Sequence, residues 1–120
     1  MKPIISETVY RRLLNLLGKF KSPEGKQLGA ELSKAQVVKD DELRKDIVSL
    51  NSTVEFIEDS MAKPIRLQIV LPDEADLSKR KISIFAPISI ALIGFRESYS
   101  FKWLLPSGTK RLKIIRVINE

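Results

Sequence analysis

The side chains with most chemical potential in this 120-residue chain are carboxylates in two groups, Asp40, Asp41, Glu42 and Asp46, then Asp73, Glu74 and Asp76. Hard cations such as Mg²⁺ take carboxylate oxygens, but a metal site needs rigid, convergent ligands. Both groups fall in charged connecting stretches, so the favoured reading is a solvated linker that also charges helix ends. Lys79-Arg80-Lys81 follows the second group and reads as surface self-neutralisation. Histidine and cysteine are absent. Imidazole relays, thiolate nucleophiles, disulfides and His- or Cys-bound metals are therefore excluded together. The chain also has no glycine-rich phosphate loop. No catalytic residue, metal or cofactor is expected.

Cations outnumber acids, 21 Lys+Arg against 15 Asp+Glu, for a net charge of +6. The excess is unevenly placed: residues 1–36 carry +4, residues 37–60 carry −4 and residues 61–120 carry +6. Such a balance favours polyanions or acidic protein surfaces as partners. Lys110, Arg111, Lys113 and Arg116 form a stripe able to meet phosphates. No aromatic residue interleaves with them for base stacking, so a polar sheet face is preferred and direct DNA binding is not expected. Trp103, Phe56, Phe85, Phe95 and Phe101 could line a ligand cleft. Core packing is the stronger reading in a domain this small.

With 43% apolar and 30% charged residues, the chain has enough apolar surface to fold as one compact domain with a small appendage. In the first third, Val9, Leu13, Leu16 and Phe20 recur at spacings of four, three and four, which predicts a helix over residues 8–20 capped by Ser6. It would be only ~20 Å long at ~1.5 Å rise per residue. Ser22-Pro23-Glu24-Gly25 reads as a turn, and Leu28, Leu32 and Ala35 predict a second helix returning along the first. The expected organisation is a helical hairpin over residues 1–38, an acidic connector over 39–47 and a sheet domain over 48–120.

Short β-branched and aromatic stretches predict five strands, at residues 48–58, 65–71, 81–85, 100–104 and 111–118, with a turn at Pro106-Ser107-Gly108. The insert at residues 87–94, opening on Pro87 and closing on Gly94, suits a short helix lying on the sheet. The fold class is α+β, with an antiparallel sheet. No apolar run approaches the ~20 residues that cross a bilayer. The start MKPIISETVY also lacks a signal-peptide core. A soluble cytoplasmic protein is expected.

Read in order, five pieces are specific together: Asn51-Ser52-Thr53-Val54-Glu55-Phe56, the run from Ile69 to Asp76, Lys81-Ile82-Ser83-Ile84-Phe85-Ala86-Pro87, Ala91-Leu92-Ile93-Gly94, and Trp103-Leu104-Leu105-Pro106-Ser107-Gly108. They resemble the GreA/GreB carboxyl-terminal domain, most of all the Rnk branch, the regulators of nucleoside diphosphate kinase. The resemblance implies an FKBP-like domain bearing a coiled-coil hairpin that docks at the secondary-channel rim of bacterial RNA polymerase. There it would compete with Gre-type or DksA-type factors. It further implies docking through Pro87, Ile88, Ser89 and Leu92, with Lys21, Glu24 and Lys26 at the hairpin tip facing the channel. Cleavage factors of that superfamily carry an acidic pair at the tip of a longer hairpin, whereas this tip has one acid between lysines. No transcript cleavage is therefore expected. Ala86 and Ser98-Tyr99 stand where the family pattern has a serine and a Gly-Asp turn. Two alternatives stay open, an FKBP-like peptidyl-prolyl isomerase and a basic nucleic-acid-binding module.

Overall fold

Spacings of three and four produce two helices, α1 over Glu7–Lys19 and α2 over Pro23–Lys34, in the computed structural model. The structure describes residues 2–19, 21–105 and 107–119, so the expected helix end at Phe20 and the turn residue Pro106 lie outside the described residues. Ser6 caps α1, its Oγ accepting from Val9 N at 3.3 Å. Ser22 caps α2 in the same way, accepting from Gly25 N at 3.0 Å. The segment 22–25 is therefore not a turn but a cap and the first turn of α2. Pro23 sits at the first helical position, where its fixed φ and missing N–H cost nothing.

Two short strands flank the hairpin, β1 over Ile4–Ser6 and β2 over Gln36–Val38. They pair in parallel, Ile5 opposite Val37. At three residues each they are too short for a period-2 pattern to announce them. This stem is tied to the rest of the fold by Ile4 N donating to Gly94 O at 2.9 Å.

The main sheet holds β3 (Thr53–Glu58), β4 (Ile65–Val70), β5 (Lys81–Ser83), β6 (Ser100–Leu105) and β7 (Gly108–Ile118). Their order is β5-β4-β3-β7-β6. Four strands are antiparallel, as expected, but β5 runs parallel to β4. The chain between them passes through two 3-10 turns, Pro72–Glu74 and Leu77–Lys79, and enters β5 in the direction of β4. Residues 48–52, read as strand, form a bend in which Asn51 adopts φ 73° and Val48 N donates to Phe95 O at 2.8 Å. The β3–β7 register shifts between Glu55 and Phe56, a bulge that leaves Ile115 unpaired.

A short helix, α3 over Pro87–Leu92, packs on one face of this sheet. Leu13, Leu28 and Leu32 of the hairpin share one buried cluster with Ile90 and Leu92 of α3 and Phe56, Leu112 and Ile114 of the sheet. α1, α2 and α3 thus cover one sheet face, and the cations of the other face are exposed.

Candidate docking surface

α3 begins at Pro87, and its orientation is set by Ser89, whose buried Oγ donates to Ser83 O at 2.7 Å. Ile90, Leu92 and Ile93 are buried as well. The helix has six residues and packs against α2 as well as the sheet, so more of its circumference is covered than one sheet would cover. Ser89 and Leu92 therefore belong to the interior and offer no surface for docking. Pro87 is exposed and Ile88 half-buried.

Beside α3 lies an open groove of about 530 Å³ between three elements. Gln27, Ala30 and Glu31 of α2 form one wall, Pro87, Ile90 and Ala91 of α3 the other, and Trp103 and Leu104 of edge strand β6 the third side. Leu104 is 77% exposed, the most exposed large apolar residue among those described. Trp103 faces Lys110 across the β6–β7 ladder. Lys110 Nζ in turn lies 3.7 Å from Glu58 Oε1. The Ser60 hydroxyl, donating to Glu58 at 2.6 and 2.7 Å, holds that carboxyl below its usual range. The groove has an apolar floor, an exposed leucine at its lip and fixed charges nearby.

Trp103 is half-buried against the core cluster, as expected, and also borders the groove, whereas Leu104 is not among the residues that the sequence singles out for docking. The available signal was Trp103-Leu104-Leu105, a consecutive apolar run breaking the alternation of an edge strand. Phe95, Tyr99 and Phe101 stack on one another, with ring centroids 4.8 Å apart for Phe95–Tyr99 and 5.6 Å for Tyr99–Phe101. They are packing partners, and none lines the groove.

At the far end of the hairpin, Lys21, Glu24 and Lys26 are all exposed. Lys21 and Lys26 border a shallow hollow of about 220 Å³ with Leu17, Ser22 and Gly25. Glu24 occupies the first turn of α2, where a negative charge suits the helix dipole. One member of each acidic group serves as a cap. Asp40 accepts from Thr8, and Asp76 accepts from Ser78 N at 3.1 Å and Ser78 Oγ at 2.6 Å. These hydroxyl bonds hold both carboxyls below their usual range. Among the described residues, no three acidic side chains gather to hold a metal ion.

The family model described as transcription elongation factor, GreA/GreB, C-term matches residues 43–119. This chain belongs to that family. It is 36% identical over 94 residues to transcription elongation factor GreA of Pelobacter propionicus, covering 78% of this chain and 60% of the relative. It is 35% identical over 86 residues to the regulator of nucleoside diphosphate kinase of Escherichia coli, covering 72% and 63%. A solved prokaryotic transcription elongation factor GreA/GreB from Nitrosomonas europaea superposes with a TM-score of 0.81 at 37% identity, covering 99% of both chains. The chain spans about three fifths of the length of the curated relatives it matches. The groove between α2, α3 and β6 draws most of its lining from this GreA/GreB-type domain. Among the described residues, no helix is long and apolar enough to cross a membrane.

Proposed function

We propose that this chain is a non-enzymatic transcription modulator that docks on bacterial RNA polymerase near the rim of the secondary channel. The observation carrying the reading is the open groove on the GreA/GreB-type domain, with Pro87 on one lip and Leu104 on the other. Exposed apolar residues beside a cleft are where a helical partner finds its anchors. Pro87 and Ile88 keep their docking role, Leu104 and Trp103 join them, and Ser89 and Leu92 shape α3 from beneath. The hairpin tip, with Lys21, Glu24 and Lys26, faces the channel.

Transcript cleavage of the Gre type is not part of this activity. One carboxylate, Glu24, stands between two lysines at the tip, too few oxygens for a hard cation. At 13 residues, α1 is also short for an arm that reaches deep into a channel. The mutual stacking of Phe95, Tyr99 and Phe101 argues against an aromatic isomerase cleft. A cytoplasmic location follows from the proposed partner.

The test is a pull-down of core RNA polymerase by the tagged chain, followed by competition with a Gre factor and with a DksA-type factor. Capture relieved by either competitor is expected. Failure to retain core polymerase at micromolar concentration overturns the reading.

A further inference from the structure

The face of the sheet opposite the helices carries a cluster of charge, with Leu104 of β6 at its edge two residues from Lys102. Glu55 of β3 pairs in register with Arg66 of β4 on one side and Arg116 of β7 on the other. Along the same face Ile57 is opposite Lys113, and Lys102 of β6 is directly opposite Arg111 of β7. Lys113 and Arg116 are three residues apart, a spacing that puts side chains on opposite faces of a regular strand. The bulge at Ile115 brings both to the open face.

Five cations thus share this face with one acid, and the five are exposed. Glu55 engages Arg66 at 3.4 Å. Among the described residues, Lys102, Arg111, Lys113 and Arg116 make no ion pair. Lys102 and Arg111 are like charges at directly opposite positions, a pairing that destabilises an antiparallel sheet. A local conflict of this kind persists where function requires it. At its β4 edge the face runs into a hollow of about 210 Å³ lined by Arg66, Lys79 and Arg80, which extends the positive surface.

We infer that this open face binds the phosphate backbone of duplex DNA. Neighbouring strands lie ~4.8 Å apart and alternate residues ~6.8 Å apart. The cations therefore recur every one to two nucleotides of a strand that rises ~3.4 Å per phosphate. Protein interfaces concentrate aromatic anchors and exclude charge at their centre, the reverse of this surface. No aromatic side chain stands among the cations to stack unpaired bases, so a duplex is favoured over a single strand. The contact is with the backbone and independent of sequence. This revises the expectation from sequence, which counted Lys110 in the stripe and missed Lys102 and Arg66.

The test is fluorescence anisotropy of the full chain with a labelled DNA duplex of about 20 bp, titrated between about 50 and 200 mM KCl. The logarithm of the binding constant should fall linearly with log[KCl], with a slope of about −4 for four to five phosphates met. Lys102→Glu with Lys113→Glu should weaken binding at least about tenfold and reduce the slope by about 2. It should also raise the melting temperature, since it replaces a like-charge pair by an opposite one. Lys102→Gln with Lys113→Gln serves as the milder pair, expected to weaken binding in the same direction. Lys21→Glu with Lys26→Glu, the same change in net charge at the hairpin tip, should leave binding within about twofold. Equal loss in the two reversed pairs, absence of salt dependence, or equal or tighter binding of polyglutamate, single-stranded DNA or duplex RNA overturns the inference. Because the probe is naked DNA, its outcome is separate from that of the polymerase pull-down.

Discussion

Asp40 caps α1 from 32 residues away, accepting from Thr8 N at 3.1 Å through Oδ1 and from the Thr8 hydroxyl through Oδ2. The carboxylate closes the loop that begins and ends at the β1–β2 stem, and it supplies negative charge at the helix end where the dipole is positive. Both Thr8 bonds, with Arg11 adding a smaller attraction, hold the Asp40 carboxyl below its ordinary value of 3.8. A group lowered in this way stabilises the fold above its unfolded pKa, and the contribution disappears as pH falls through the folded value. Thermal melts should therefore show stability declining below about pH 4. In Asp40→Ala the melting temperature at pH 7 should drop and the acid-dependent decline should shrink. An Asp40→Ala melt matching the parent at pH 7 would sink this account.

Gly94 is the position where the hairpin stem meets the sheet domain. Its φ is +85°, and a Cβ placed there would lie 2.5 Å from Pro3 Cβ and 2.9 Å from the Ile4 backbone nitrogen. Gly94→Ala therefore combines an unfavourable φ with a backbone clash, and it should cost about 2 kcal/mol or more in urea unfolding. Gly18 has nothing within 4 Å of an added Cβ and lies in α1, so Gly18→Ala should stabilise by up to about 1 kcal/mol. Equal effects at the two sites would contradict the packing described.

Polymerase docking separates surface from core on α3 and β6. Leu104→Asp and Ile88→Asp should weaken binding to core polymerase by about 1–3 kcal/mol while circular dichroism stays unchanged. Ser89→Ala should act through stability instead, since it removes a buried hydroxyl's bond to the Ser83 carbonyl and leaves that oxygen with the Ala86 amide as its donor. Affinity measured by biolayer interferometry checks the ordering, and parent-like affinity in folded Leu104→Asp removes the groove from the interface.

Stalled elongation complexes given this chain should release no additional 3′ RNA fragments, because Glu24 faces any cation with two oxygens and neighbouring lysines. Gel analysis of labelled transcripts checks it. Mg²⁺-dependent release that vanishes in Glu24→Ala would show the opposite.

Much of this molecule was legible in the order of its residues. Leu13, Leu28 and Leu32 announced two helices because helical periodicity is local, and Ser6 and Ser22 marked their starts because capping involves a side chain and a backbone group three residues on. The alternation around Leu112, Ile114 and Val117 announced a strand for the same reason, and the ordered pieces from Asn51 to Gly108 carried the family. The sequence also showed Pro87 as a helix start, because proline belongs at that position.

What depended on contacts between distant segments was decided only by the tertiary structure. The parallel pairing of Ile5 with Val37, the parallel entry of β5 and the cap from Asp40 to Thr8 join residues whose approach no local pattern encodes. Ser89 and Leu92, expected at the docking surface, are interior because α2 packs on α3 in addition to the sheet. The open face shows the same principle most plainly. Side chains alternate along a strand, so a list of cations assigns no face until register is known, and one unpaired residue at Ile115 moves Arg116 beside Lys113 while Lys110 turns toward Glu58.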